Sequence, residues 1–215
     1  MDLSATILHP RHSRWTRRKV GLFGGSFNPV HQGHLLMSKQ ALHLLGLDCI
    51  WWIVTPKNPL KDGTGLKDYD DRLSRARAFS SDHFRYDQLI VTDVEQHGNL
   101  QYTNLQYTWQ TLRFLKRNHP ITKFIWIMGA DNWQQFHRWR NWRRIARMMP
   151  LAIVARPGYG HYNSKASLFF RIYAPVHARN WKQWRPPAAV ILRQEQSHLS
   201  STLIRSREKI DCESL

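Results

Sequence analysis

Cysteine and long apolar runs are both scarce in this sequence, and each shortage excludes a class of protein. The two cysteines, Cys49 and Cys212, are too few for a disulfide framework and lack the spacing of metal ligands. No apolar run approaches the ~20 residues that span a bilayer. Residues 1–18 carry four arginines but no hydrophobic signal-peptide core. We therefore expect a protein of the reducing cytoplasm with no membrane partner.

Acidic residues are also few, and the resulting charge is large. The 215 residues include 15 Asp and Glu against 32 Lys and Arg, which gives a formal net charge of +17. Such a charge favours anionic partners, either nucleotides or nucleic acid, and says nothing about the fold. Hydrophobic residues make up 42% of the chain and aromatic residues 12%. This composition excludes a disordered chain and allows a real hydrophobic core.

Short apolar segments alternate with helical patterns along the chain. This alternation predicts an α/β fold: a Rossmann-like, doubly wound parallel sheet of about five to six strands with helices on both faces. Ligands of such sheets bind beyond the carboxyl ends of the strands. Strands are predicted at 19–23, 49–54, 88–91, 124–128, 151–155 and 188–192, and helices at 33–45, 69–79, 107–117, in a tryptophan-rich stretch up to 147, and at 200–209.

The predicted domain organisation is simple. Residues 1–18 are interpreted as a basic, flexible N-terminal extension, and residues 19–215 as a single domain. Within that domain, residues 158–187 differ in composition, because they are basic and aromatic and end at Pro186-Pro187. We interpret them as a variable insertion or lid-like segment.

The most informative stretch is GLFGGSFNPVHQGH, residues 21–34. Gly24 and Gly25 permit a tight turn and a close approach of the backbone to a phosphate. A helix follows, and its first turn offers unpaired N–H groups and partial positive charge. His31 and His34 share one face of that turn and can donate hydrogen bonds to phosphate oxygens. Other glycine-rich phosphate patterns are absent, so the stretch predicts a pocket for a nucleotide polyphosphate.

With these residues the chain resembles the H-x-G-H nucleotidyltransferases and, more narrowly, the bacterial nicotinate-nucleotide adenylyltransferases. In the superfamily this motif binds the phosphates of ATP, and its second histidine stabilises the transition state. The resemblance therefore implies that His34 and His31 are catalytic. Asn28 stands where many members have Asp, so no carboxylate role is carried over. The ATP-binding residues implied in this stretch are Gly24, Gly25, Ser26, Phe27, His31 and His34.

Two further stretches resemble the family's phosphate-binding segments. TPKNPLK at residues 55–61 matches a proline-rich loop, in which Lys61 would bring a cation to the nicotinate mononucleotide. LSSTLIR at residues 199–205 matches the closing I-S-S-T-x-I-R, where serine and threonine cap a helix and can bind phosphate. ATP-binding roles are implied there for Ser201, Thr202 and Arg205.

YTWQTL at residues 107–112 resembles the family's Y-T-x-D-T-L, a helix start that receives the nicotinate carboxylate mainly through backbone N–H groups. Thr108 is the implied mononucleotide-binding residue and is expected to cap the helix. Gln110 replaces the usual Asp. An earlier QYTN at residues 101–104 imitates the pattern, but only the second copy continues into Thr-Leu.

IMGADNW at residues 127–133 matches the family's G-x-D segment. The resemblance implies that Asp131 binds ATP, through the ribose hydroxyls or the metal-bound nucleotide. Trp139 lies where the family places an aromatic side chain that stacks on the pyridine ring, and a flat, electron-poor ring suits such stacking.

The implied reaction transfers AMP from ATP to nicotinate mononucleotide and gives nicotinate adenine dinucleotide and pyrophosphate, a step of NAD biosynthesis. Mg²⁺ would arrive bound to ATP, and no metal site of the protein's own is predicted. The alternatives are an enzyme for nicotinamide mononucleotide or phosphopantetheine and, in a different class, an RNA-binding protein. RNA binding would not require the predicted pair of phosphate-binding helix starts, so no obligate nucleic-acid partner is expected.

Overall fold

The computed structural model shows an α/β fold built on one seven-stranded sheet. It describes residues 13–56, 65–85, 87–96, 105–155 and 164–193. The strands are β1 (Lys19–Gly25), β2 (Cys49–Val54), β3 (Leu89–Thr92), β4 (Lys123–Gly129), β5 (Leu151–Ala155), β6 (Arg171–Tyr173) and β7 (Ala188–Arg193). The helices are α1 (Gln32–Leu45), α2 (Tyr69–His83), α3 (Thr108–Asn118), α4 (Ala130–Gln135) and α5 (Trp142–Met148).

All neighbouring strands are parallel, in the order β3-β2-β1-β4-β5-β7-β6. The predicted fold class is confirmed, with one strand more than expected. The additional strand is β6, a three-residue edge strand. Strands β2, β1 and β4 lie side by side in the sheet, and their carboxyl ends carry three of the stretches singled out in the sequence.

The sheet is covered on both faces. Successive side chains of a strand point to opposite faces, and β2 shows this with two adjacent tryptophans. Trp51 packs in a core cluster with residues of α3, α4 and α5, whereas Trp52 packs in a second cluster with residues of α1 and α2. All six residues of β2 are buried. This explains why the strand is apolar throughout rather than alternating.

The packed structure extends beyond residue 19 toward the N-terminus. Trp15 is buried in the first core cluster, with its ring centroid 5.0 Å from that of Trp51. Thr122 Oγ1 also donates a hydrogen bond to the Trp15 carbonyl (2.6 Å). Trp15 therefore packs against the sheet, whereas residues 16–18 are exposed. We propose that the folded domain includes Trp15.

The basic, aromatic segment is packed where the structure describes it, from residue 164 onward. It contributes β6 and the 3₁₀ helix Pro175–Gln183. Trp181 is buried and its indole N–H donates to the carbonyl of Leu45, the last residue of α1 (3.0 Å). Tyr173 and Trp184 stack face to face, with ring centroids 4.1 Å apart. These contacts pack β6 and the 3₁₀ helix against the rest of the fold, and we propose that residues 164–187 form an edge of the domain.

The tryptophan-rich stretch is not one helix. It divides into α4, the 3₁₀ turn Phe136–Arg138 and α5, and Asn141 adopts a left-handed backbone (φ 57°) before α5 begins. The predicted closing helix at 200–209 lies outside the described residues. Within the described part of the chain, none of the helices has the length and apolar character required to cross a membrane.

Candidate active site

The glycine-rich turn begins later than the sequence indicates. Gly24 and Gly25 are the last two residues of β1, and neither has a positive φ. The left-handed residue is Phe27 (φ 46°), whose side chain is buried. A non-glycine residue in this region is held there against a backbone strain of about 1–3 kcal/mol, a feature concentrated at functional sites. The chain then passes through a cis Asn28–Pro29 bond into α1.

Gly24 is required by packing. A Cβ atom built on it would lie 2.5 Å from Cη2 and 3.1 Å from Cζ2 of Trp126. Trp126 is itself buried on β4 and packs edge-to-face against Trp139. The indole of Trp126 therefore links the end of β1 to Trp139, the predicted partner of the pyridine ring.

The G24A variant should lower the free energy of unfolding by about 1–3 kcal/mol, because the added methyl group overpacks against a buried indole. Urea denaturation of G24A and wild type measures the difference. The matched control is G25A, whose Cβ would meet only the Phe27 ring at an ordinary 3.4 Å. Equal stability of G24A and G25A would contradict this account of the Gly24 position.

His31 and His34 are oriented by the first turn of α1. His31 is the N-cap residue, and its Nδ1 accepts a hydrogen bond from the Gly33 N–H (3.0 Å). The Nδ1 of His34 accepts one from the N–H of His31 (3.2 Å). In a neutral imidazole, one ring nitrogen accepts and the other carries the proton. Both histidines are therefore held in the tautomer that has a donor N–H at Nε2, as phosphate binding requires.

Aromatic side chains fix the position of His34. Its ring centroid lies 4.9 Å from that of Phe27 and 5.9 Å from that of Phe23. Phe27 in turn stacks on Trp52 at 4.9 Å, and the Trp52 indole donates to Ser38 Oγ (2.8 Å). The two imidazole centroids are 3.9 Å apart. The histidine pair is thus rigid and adjacent, so it can act on one phosphate chain.

The start of α3 supplies a second set of backbone donors. Its N-cap residue is Tyr107, and Thr108 is the first helical residue, so the prediction that Thr108 caps the helix is wrong. The Tyr107 N–H donates to Gln110 Oε1 (2.9 Å), which means that Gln110 fulfils the capping role of the usual Asp. The Gln110 N–H donates a hydrogen bond to the Tyr107 carbonyl (2.8 Å). The N–H groups of Thr108 and Trp109 precede it, where a helix start can bind an anion.

A buried carboxyl group lies beneath this helix start. Glu95 follows β3, and its Oε1 accepts a hydrogen bond from Thr111 Oγ1 on α3 (2.9 Å). Burial raises the pKa of the Glu95 carboxyl to about 7, although hydrogen bonds from Thr111 and Thr55 lower it. Sequence reasoning missed this residue, since a lone Glu after a strand carries no signal of its burial.

Glu95 should make the stability of the protein depend on pH. The carboxyl has a pKa near 4.5 when unfolded and about 7 when folded, so the folded state holds the proton more tightly between these values. The free energy of unfolding should therefore fall by about 3 kcal/mol as the pH rises through this range. E95Q keeps an acceptor for Thr111 but cannot ionise, so it should lose most of this decline. Urea denaturation across that pH range tests the point, and an undiminished decline in E95Q would refute it.

Asp131 lies in α4, and Trp139 follows the 3₁₀ turn after it. Asp131 is exposed in the first turn of α4, and its carboxylate folds back over Gly129, where a Cβ would collide with it. Trp139 is half-buried and contacts Phe136 at 5.5 Å and Trp126 at 6.3 Å between ring centroids. Asp131 is exposed and Trp139 half-buried, so neither side chain is enclosed by the core.

The structure brings part of the predicted site together. The glycine-rich turn and the histidine pair follow β1, Asp131 follows β4, Thr108 begins α3, and Trp139 lies between α4 and α5. Among the described residues, no group of three or more His, Cys, Asp and Glu side chains could hold a metal ion. The predicted phosphate ligands Lys61, Ser201, Thr202 and Arg205 lie outside the described residues.

Comparison with known proteins assigns this chain to a class. Residues 22–207 match the cytidylyltransferase-like family. A solved structure of the nicotinic acid mononucleotide adenylyltransferase of Plasmodium falciparum, complexed with NaAD, shares the fold with a TM-score of 0.63. It is 17% identical, and the match covers 88% of this chain and 83% of that one. The chain is therefore a cytidylyltransferase-like nucleotidyltransferase.

Curated relatives identify the family within this class. A probable nicotinate-nucleotide adenylyltransferase of Agrobacterium fabrum is 42% identical over 195 residues, which cover 88% of this chain and 99% of the relative. Its counterpart in Brucella suis is 40% identical over 194 residues, covering 86% and 93%. The chain belongs to the nicotinate-nucleotide adenylyltransferase family.

Proposed function

We propose that this chain transfers AMP from ATP to nicotinate mononucleotide, forming nicotinate adenine dinucleotide and pyrophosphate. The observation that carries the proposal is the histidine pair at the start of α1. Both rings accept at Nδ1 from the backbone and so direct an N–H from Nε2. Two fixed donors beside a helix N-terminus suit a polyphosphate. The names of relatives that are about 40% identical over nearly their whole length support the same substrates.

The chemistry requires positioning more than proton transfer. A phosphate oxygen of the mononucleotide attacks the α-phosphorus of ATP in line, and pyrophosphate leaves. Because the nucleophile is already an anion, no general base is needed. Charge accumulates on the oxygens of the five-coordinate phosphorus, where preorganised donors have their largest effect. We assign this contact to Nε2 of His34 and a supporting phosphate contact to His31.

The start of α3 supports an acid as the second substrate. The N–H groups of Thr108 and Trp109 and the helix dipole favour a carboxylate over a neutral amide at this point. Trp139 offers a ring face for stacking on the pyridine, and it is joined to the phosphate turn through Trp126. Nicotinate mononucleotide combines a carboxylate, a flat ring and a phosphate, whereas phosphopantetheine lacks the ring.

A magnesium ion would enter bound to the triphosphate. Mg²⁺ keeps several waters and binds through substrate phosphates with few protein ligands. Asp131, in the first turn of α4 after β4, would be the acidic side chain nearest in sequence to such a contact in our proposal. We therefore treat Mg-ATP as the substrate. Its ion would neutralise phosphate charge while His34 and His31 orient the chain of phosphates.

The scarcity of cysteine supports a cytoplasmic setting for the reaction. Cys49 is free and buried in β2, and burial raises the pKa of its thiol to about 12, so it stays protonated and unreactive.

Pyrophosphate release tests the proposal. The protein is incubated with Mg-ATP alone and then with nicotinate mononucleotide, nicotinamide mononucleotide or phosphopantetheine in parallel. We expect release only with an acceptor and a higher kcat/KM for the acid than for the amide. Release without any acceptor, or a preference for phosphopantetheine, would contradict the assignment.

A further inference from the structure

One arginine on α2 is buried and bonded to backbone carbonyls. Arg72 is 1% exposed, yet among the described residues no Asp or Glu lies within ion-pairing distance of it. Its guanidinium instead donates to four backbone carbonyls: Lys67 (3.0 Å), Ser26 (2.6 Å), Thr55 (2.9 Å) and Pro56 (2.8 Å).

These carbonyls belong to three separate segments. Ser26 is in the glycine-rich turn before the histidine pair, Thr55 and Pro56 follow β2, and Lys67 precedes α2. The planar fork of N–H donors in arginine allows one side chain to bridge all three. Burial lowers the pKa of the guanidinium, while Tyr69 and Asp68 raise it, and arginine nevertheless stays charged. Burying a cation costs desolvation free energy, whereas an apolar side chain would fill the same space without that cost.

Asn28 makes a second link between the same segments. Its Nδ2 donates to the Gly65 carbonyl (2.8 Å), and its Oδ1 accepts from the Lys67 N–H (3.3 Å). An amide fits this pair of partners, whereas the Asp found in many relatives of the superfamily would turn a second acceptor toward a carbonyl. The phosphate turn is therefore tied by Arg72 and Asn28 to both ends of the segment 57–64.

We propose that Arg72 is a positioning residue for adenylyl transfer, which holds the glycine-rich turn in register with the chain after β2 and before α2. The proposal rests on the proposed function of the histidine pair. Arg72 does not touch the reacting atoms in this account. It acts through the Ser26 carbonyl on the turn that carries Phe27 and leads to the histidines. A displacement of about 1 Å in such a site costs on the order of 100-fold in rate.

The test compares R72K and R72A with R75K. Arg75 lies on the same helix, exposed and paired with Asp71 (2.7 Å), so R75K controls for a changed cation on α2. Lysine keeps the charge of Arg72 but cannot bridge four carbonyls. We expect kcat/KM of R72K to fall on the order of 100-fold, mainly in kcat, with R75K unchanged. Guanidinium ion should restore part of the activity of R72A, and sodium chloride at equal ionic strength should not.

Amide hydrogen exchange provides a readout independent of activity. The Thr55 N–H donates to the Gly25 carbonyl (2.9 Å) and the Lys67 N–H to Asn28, so both amides report the register of the segments. Exchange at both should accelerate in R72K. The proposal is overturned if R72K keeps the wild-type kcat/KM, or if R72K loses activity without faster amide exchange. If R72A does not fold, R72K alone decides the question. If the wild type forms no dinucleotide, the proposed function fails separately, and the exchange data still decide whether Arg72 holds the three segments.

Discussion

Replacement of His34 by alanine is expected to lower kcat by about 10²- to 10³-fold, the usual effect of removing one transition-state donor. The Nε2 donor of His34 is fixed by the bond from the His31 N–H to its Nδ1 (3.2 Å) and by packing against Phe27. Because this donor meets charge that develops only in the transition state, the KM for ATP should change much less. Steady-state kinetics with Mg-ATP and nicotinate mononucleotide measure both constants.

The same substitution removes a hydrogen bond at the start of α1, so folding must be measured alongside activity. H43A is the matched control, since His43 is exposed in the last turn of the same helix. H43A should keep the wild-type kcat. An H34A protein that is folded and retains its kcat would remove His34 from the catalytic step.

The second large effect is expected at Trp139. W139A should raise the KM for nicotinate mononucleotide about tenfold, which corresponds to the ~1 kcal/mol of an aromatic stacking contact together with lost contact area. Its kcat should change little, because stacking on the pyridine ring is equally strong before and during the reaction. W139F keeps a ring and should recover most of the affinity.

Trp142 provides the control for Trp139. Both tryptophans are half-buried and pack against Phe136, with ring centroids at 5.9 Å for Trp142 and 5.5 Å for Trp139. W142A removes a side chain of equal size from the same cluster but on the side of Phe169 (5.2 Å). If W142A raises the KM for the mononucleotide as much as W139A does, the effect is a general loss of packing and the stacking assignment is wrong.

The central strands were predictable because they are buried on both faces. β2 and β5 begin and end where the sequence predicts, since each is an uninterrupted apolar run. β6 was not predictable in the same way, because it is three residues long and two of them are exposed at the sheet edge. The short helices α4 and α5 were predicted as one, since their shared tryptophan pattern conceals the left-handed turn at Asn141.

Features of the site that depend on distant contacts were not predictable. The adjacency of His31 and His34 was predictable because their spacing is local. Arg72 was missed, since its bond to Ser26 joins residues 46 positions apart. One signal existed, because Arg72 lies on the same helical stripe as Ala76 and Ser80, and all three are buried. The sequence also contains an exact tandem repeat of NLQYT, at residues 99–103 and 104–108. This repeat explains why two similar QYT motifs precede α3.

The most direct test of the central claim follows the oxygen atoms of the acceptor. Nicotinate mononucleotide labelled with ¹⁸O in its phosphate is incubated with the protein and Mg-ATP, and the products are analysed by mass spectrometry. Attack by the mononucleotide phosphate on the α-phosphorus predicts that all of the label stays in nicotinate adenine dinucleotide and that the pyrophosphate is unlabelled. Labelled pyrophosphate, or release of AMP in place of the dinucleotide, would contradict it.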